Sequence, residues 1–230
     1  MEEQLLLLDR QAILGRLSAG LVHAMNNVLS GVLGQVDLLL LVRVEPQVET
    51  DLNQIATTCE QGVLLTRSLS RVITALGQDS STDAQPIVEA MHVLLGRIFR
   101  RGGVEAETDI SRTLPSAQNG SEFVQAVFHL LLMSYDSLSV SGVTSRKISI
   151  RLSLKDEQIL LELESLTPLL PEFQASPPQP GQDILVGREW QRWVLDTVCR
   201  RAGGNWYSSD DGKVLSLLWP ASSSASTTLY

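Results

Sequence analysis

The run His23–Ala24–Met25–Asn26–Asn27 is where residue type and spacing in this 230-residue chain best suit chemistry. An imidazole titrates near neutral pH and has two distinct ring nitrogens. A carboxamide both donates and accepts hydrogen bonds, so it can orient water or a charged group beside such a ring. On a helix Asn27, four residues on, shares the face of His23, and Asn26 adjoins it. His23 stands two residues past Leu21, about 200° round the helix, which turns it away from an apolar stripe. Ala19, Gly20, Ser30, Gly31 and Gly34 fall at helical spacing from it and flank that face with small side chains. Each glycine inside a helix costs up to about 1 kcal/mol relative to alanine, and close approach of a partner's backbone would account for several of them. A solvated surface histidine, with glycines that only ease helix packing, fits the same spacing equally well.

Two helices must carry this run. Leu14, Leu17, Leu21, Met25, Val28, Val32, Val36 and Leu39 repeat at three and four residues within a helix expected from Glu3 to Val42. Pro46 is expected to break the pattern at 43–47. A second stripe follows at Leu52, Ile55, Cys59, Val63, Thr66, Leu69, Ile73 and Leu76. So short a connection makes the helices antiparallel. A lone hairpin buries too little to be stable, so pairing two hairpins into a four-helix bundle predicts a homodimer, in preference to packing the hairpin on the rest of the chain. Residues 78–84 are polar and aperiodic and read as a linker.

The remainder has an α+β order. Helices are expected over 86–101, 122–138 and 188–202, the last closed by Gly203–Gly204. Strands are expected at 104–110, 148–154, 159–163 and 214–219, with a hairpin turn at Lys155–Gln158. This predicts a sheet covered on one face by helices. The division is thus 1–78 for a dimerising hairpin, 84–220 for an α/β sandwich, and a Ser/Thr-rich disordered tail over 221–230.

Composition excludes several functions. With 43% hydrophobic residues the chain can build a core, and a formal charge of −8 opposes both nucleic acid and an anionic membrane surface. Cys59 and Cys199 have no metal-binding spacing and are expected to be reduced thiols. No apolar run approaches the roughly 20 residues of a membrane span, and the Met-Glu-Glu start lacks the basic residues of a signal peptide. A cytoplasmic protein is expected, receiving its signal through a soluble partner. His92 and His129 lie on apolar helical faces and read as core histidines. Trp190 and Trp193 read as packing on the sheet, and Glu45, Glu49 and Asp51 as a solvated helix start.

The segment GRLSAGLVHAMNNVL, Gly15–Leu29, resembles the H-box of sensor histidine kinases. His23 matches the phospho-accepting histidine, and Asn26, Asn27 and Leu29 also match; Ala24 stands where the family has an acid and Val28 where proline is common. The element order of 84–220 resembles the family's ATP-binding domain. QAVFHLLLMSYDSL, Gln125–Leu138, resembles the N-box helix, with His129 and Met133 in place of asparagines and Asp136 retained. ILLELESLTPLLP, Ile159–Pro171, resembles the Asp-x-Gly-x-Gly segment, with Ser165, Thr167 and Leu169 replacing the Asp and both glycines while Pro168 and Pro171 match. Gly187–Gly204 resembles the Gly-Leu-Gly-Leu segment and its helix, with Glu189 and Gln191 for glycines; Gly203–Gly204 and Pro220 match.

The resemblance therefore implies a kinase-like scaffold without a nucleotide site. A thioether at Met133 does not suit hard magnesium, Glu189 and Gln191 put side chains where phosphate would meet a helix N-terminus, and the 176–180 stretch is short for an ATP lid. No cofactor and no metal are expected. His23 is implied as phospho-acceptor, and Asn27 as the residue that orients water or the phosphoryl group. Without an acid at Ala24 a general base worth about 10²–10⁴ in rate is missing for self-phosphorylation; exchange with a response regulator's receiver domain is less demanding. Two readings follow: a histidine phosphotransfer protein or receiver phosphatase, and a non-catalytic pseudokinase scaffold that binds a response regulator or an active kinase. A divergent ATP-using kinase ranks behind both.

Overall fold

The computed structural model describes residues 2–41, 45–78, 80–99, 103–111, 113–139, 143, 145–169 and 187–222; within these, the side chains of 19–23, 26, 33, 36, 37, 40, 41, 45–47, 49, 56, 98 and 99 are outside the description. Helix α1 runs Glu2–Leu41 and α2 runs Glu45–Leu76. At 1.5 Å per residue they are about 60 Å and 48 Å long. Pro46, where the break between the two helices is expected, lies in the first turn of α2, where the missing N–H would have had no partner; residues 43 and 44 of the expected break are outside the described residues.

The polar segment after α2 is more structured than a linker. Thr82–Asp83 forms β1, antiparallel to β3 at Ser116–Ala117, and α3 begins at once, spanning Ala84–Phe99. Strand β2 is Glu105–Ile110, and α4 covers Gly120–Leu138. Strands β4, Lys147–Lys155, and β5, Gln158–Glu164, form the expected hairpin. Its two turn residues, Asp156 and Glu157, have φ of 48° and 61°, the left-handed pair that matches the twist of adjoining strands. Helix α5 spans Arg188–Ala202, followed by β6, Asn205–Ser208, and β7, Val214–Pro220. The sheet order is β2-β4-β5-β7-β6, with β2 parallel to β4 and the other pairs antiparallel.

Alternation makes one face of this sheet the core. Ile150, Leu152, Leu161, Leu163, Leu215 and Leu217 are buried and in register across three strands, while Arg151 and Lys155 are exposed. Phe123 of α4 meets Trp219 of β7 edge-on at 5.6 Å. The hairpin joins the same core, the arrangement that the sequence analysis ranked behind pairing with another copy. Leu6, Ile13 and Leu17 of α1 and Leu65, Leu69 and Val72 of α2 are buried in one continuous cluster with the sheet. The hairpin has its own close contacts too. A Cβ on Gly31 would lie 3.3 Å from Thr58 Cγ2, and one on Gly62 3.0 Å from Val28 Cγ1. The approach at Gly31 is therefore to α2 of the same chain, while Gly15 and Gly34 face open space. Asp51, expected to be solvated, is buried.

Gly203, with φ 73°, and Gly204 close α5 as the sequence predicts; Gly204 N–H donates to the Cys199 carbonyl at 2.9 Å. A Cβ on Gly204 would stand 2.9 Å from Trp219 Cε3 and 3.0 Å from the Leu218 carbonyl, both fixed in the sheet. Gly204→Ala should cost about 1–3 kcal/mol by overpacking, read as a lower urea midpoint with unchanged slope.

Candidate functional site

Helix α1 changes character along its length. Its buried residues, Leu6, Asp9, Ile13, Leu17 and Ala24, lie on one line and all fall in the first 24 positions. Beyond Ala24 no described α1 side chain is buried: Met25, Asn27, Leu29 and Ser30 are exposed. His23 and Asn26 lie on the backbone of α1 at this transition, and their side chains are outside the described set. Of the three candidate residues, only Asn27 has its environment described, and it faces solvent. Ala24, where the resemblance wants an acid, is 4% exposed and packed in the core.

The main polar constellation is one that the sequence analysis missed. Asp9, 2% exposed, accepts from His129 Nε2 at 2.9 Å, from Gln125 Nε2 at 2.9 Å and from Trp190 Nε1 at 2.9 Å. One carboxylate on α1 thus collects donors from α4 and α5. Gln125 also donates to the Leu6 carbonyl at 3.2 Å and accepts from Arg10 Nε at 3.0 Å, and Arg10 pairs with Glu122 at 3.0 Å. At the rim Arg200 reaches Glu2 at 3.4 Å. Burial alone would push the Asp9 carboxyl up, but the electrostatic attraction of His129 and the hydrogen bonds from His129, Gln125 and Trp190 outweigh it and hold the pKa below the ordinary 3.8.

Five of the seven positions that the resemblance assigns to nucleotide are taken up in this packing, while Thr167 and Glu189 are part-exposed. His129 bonds Asp9, and Met133, Ser165 and Leu169 are buried. Gln191 is buried and donates to Asp136 at 3.1 Å. Trp190, expected on the sheet, stacks on Trp193 at 4.9 Å and turns its N–H to α1. Pro171 and the 176–180 stretch lie outside the described residues. Among those described, no group of histidine, cysteine or carboxylate side chains could hold a metal ion, and no helix is long and apolar enough to cross a membrane. Cys199 is buried, which pushes its thiol up to about 12, while Cys59 is exposed.

Removing Asp9 would leave the buried N–H groups of His129 and Trp190 without an acceptor and Gln125 Nε2 with only the Leu6 carbonyl. Asp9→Ala should cost about 3–5 kcal/mol in denaturant unfolding. Because the folded pKa is depressed, the carboxylate's contribution is present above the unfolded value near 3.8 and is lost as pH falls through the folded one. Acid unfolding of the native chain should therefore be steeper below about pH 4 than that of Asp9→Asn, measured by circular dichroism.

No family model matches the sequence, and no curated protein matches it. Solved structures similar to the chain include histidine kinase AdeS of Acinetobacter baumannii, with 15% identity over 86% of this chain and 98% of that one and a TM-score of 0.44. The catalytic domain of histidine kinase ThkA has 15% identity over 63% of this chain and 96% of that one, with a TM-score of 0.48. A bacterial phosphotransferase has 13% identity over 90% of this chain and 96% of that one, with a TM-score of 0.45.

Proposed function

We propose that the chain is a two-component signalling protein related to histidine kinases, which passes phosphoryl groups to or from a receiver domain through His23, or removes them with help from Asn27, and does not bind ATP. The observation that carries this reading is the His-x-x-Asn-Asn run sitting where α1 leaves the core, with its last residue, Asn27, exposed. A receiver could dock against that part of the hairpin without displacing any described buried side chain. The phosphoryl group would leave the receiver's aspartyl phosphate as its P–O bond breaks and a P–N bond forms on the imidazole, with the aspartate released as carboxylate; the receiver brings its own metal and acid groups.

Two further observations support parts of the reading. His129, Met133, Ser165, Leu169 and Gln191 are core residues, with His129 and Gln191 already hydrogen-bonded within the chain, so a nucleotide would have to displace packed side chains. Met25 and Leu29 on α1, and Leu52, Val63 and Ile73 on α2, are exposed, an apolar surface suited to a second hairpin in a homodimeric bundle. The burial of Ala24 favours the second reading, a scaffold that binds a receiver or a cognate kinase by occupancy, because no acid adjoins the histidine.

Mixing the protein with a phosphorylated receiver and following the label separates the two. Transfer or loss should fall at least about 100-fold, the low end for losing a participating group, in His23→Ala for transfer and in Asn27→Ala for hydrolysis. Unchanged rates in both variants would leave only the scaffold. Calorimetry with an ATP analogue and magnesium should show no binding, and saturable heat would refute the nucleotide-free reading. For the dimer, Val63→Asp should shift the sedimenting species to the 25.2 kDa monomer.

A further inference from the structure

A cleft of about 380 Å³ opens where α2 meets the α/β part of the chain. Leu64 and Leu65 of α2, Val93 of α3, Ala106 of β2 and Val104 just before that strand form its apolar walls. At its inner side His92 Nδ1 lies 3.3 Å from the buried Tyr135 hydroxyl. Gln61, Arg97 and Glu105 complete the lining.

Three features mark it as a built site. Leu64 is 50% exposed, yet it is about 140° round α2 from the stripe through Cys59, Val63 and Thr66. A second hairpin on that stripe does not account for it. Its neighbours on that side, Glu60, Gln61 and Arg67, are exposed and polar, so Leu64 is an apolar island facing the cleft. Gly96 stands inside α3 at a cost of up to about 1 kcal/mol relative to alanine. A Cβ there would meet nothing closer than 3.7 Å, so packing does not require glycine, and the helix presents no side chain to the cleft at that point. The charges are unequal as well. Glu105 is paired with Lys147 at 3.3 Å, while Arg97 has no ion pair or hydrogen bond among the described residues. A cation in the last turn of α3 suits the helix dipole in any case; it is the combination with apolar walls that selects a ligand.

We propose that this cleft binds a small amphipathic carboxylate, its acid group on Arg97 and its apolar body between Leu64, Leu65, Val93 and Val104. A carboxylate meets guanidinium with two parallel hydrogen bonds, and a doubly charged phosphate would be costly against these walls. The volume lies at the lower end of small-molecule sites. Such a ligand touches α2, α3 and β2 together, so it would tie the hairpin to the α/β part. The site does not depend on the chemistry of His23.

Titration of the full chain with 3-phenylpropanoate and octanoate, followed by amide NMR shifts, tests this against the matched amides 3-phenylpropanamide and octanamide. At least one carboxylate should saturate shifts around the cleft below millimolar concentration, with its amide at least tenfold weaker. Arg97→Gln, at a part-exposed position, should weaken the carboxylate at least tenfold without changing the amide. Gly96→Leu should abolish both. Absence of saturable shifts with either carboxylate, equal binding of acid and amide, or an unchanged affinity in Arg97→Gln would each overturn the proposal; the last needs no variant that fills the core.

Discussion

A single buried carboxylate decides how this chain is assembled. Asp9 is on the helix that carries His23, and its partners are on the two helices that cover the sheet. An isolated charge in such a place would be costly by several kcal/mol or more, so it persists only because each lone pair finds a donor. The apolar residues on the same line, Leu6, Ile13 and Leu17, provide the attraction; the polar contacts determine where it is satisfied. The hairpin and the sheet therefore share one core, although the polar stretch after Leu76 makes them look separable in sequence.

Fixing the base of the hairpin releases its upper half. Past Ala24 the two helices hold one another through contacts such as Gly31 with Thr58 and Gly62 with Val28, and leave Met25, Leu29, Leu52 and Val63 exposed. This division explains why one periodic stripe serves two purposes. Its lower positions, Leu17 on α1 and Leu69 and Leu76 on α2, are consumed within the chain, whereas Leu52 and Val63 remain available to another molecule.

Much of the α/β part was legible because local chemistry fixed it. Gly203–Gly204 bounded α5, and alternating strands around Lys155–Gln158 gave the β4–β5 hairpin. Strand β6 was missed: Asn205–Ser208 is only four residues long and lies at the sheet edge, with little alternation to read. The docking of the hairpin on the rest of the chain was ranked behind pairing of two hairpins because helical periodicity identifies an apolar stripe but not what covers it. A signal did exist. Asp9 falls in line with Leu6, Ile13 and Leu17, and Gln125 and His129, four apart, are polar in the otherwise apolar run Phe123–Met133 of α4. Polar residues on apolar faces of two different helices are candidates to satisfy one another; His129 was legible as a core histidine, but its partner on α1 was not identified. For His23 the sequence was the stronger source: its type and neighbours are informative, while its ring lies outside the described side chains.

The network also fixes register, which apolar packing alone would leave loose. Sliding α1 by one turn in either direction would bring Leu5, Leu6, Ala12 or Ile13 opposite the three donors. None of these has a side-chain acceptor, and each buried donor left unmet costs about 1–3 kcal/mol. Only Asp9 fits, so the height of every later position on α1 is set from there. Residue 23 follows fourteen positions on, about 21 Å along the axis. A carboxylate near the start of the helix thereby sets how far the histidine position stands from the Asp9 anchor, although the two groups never meet.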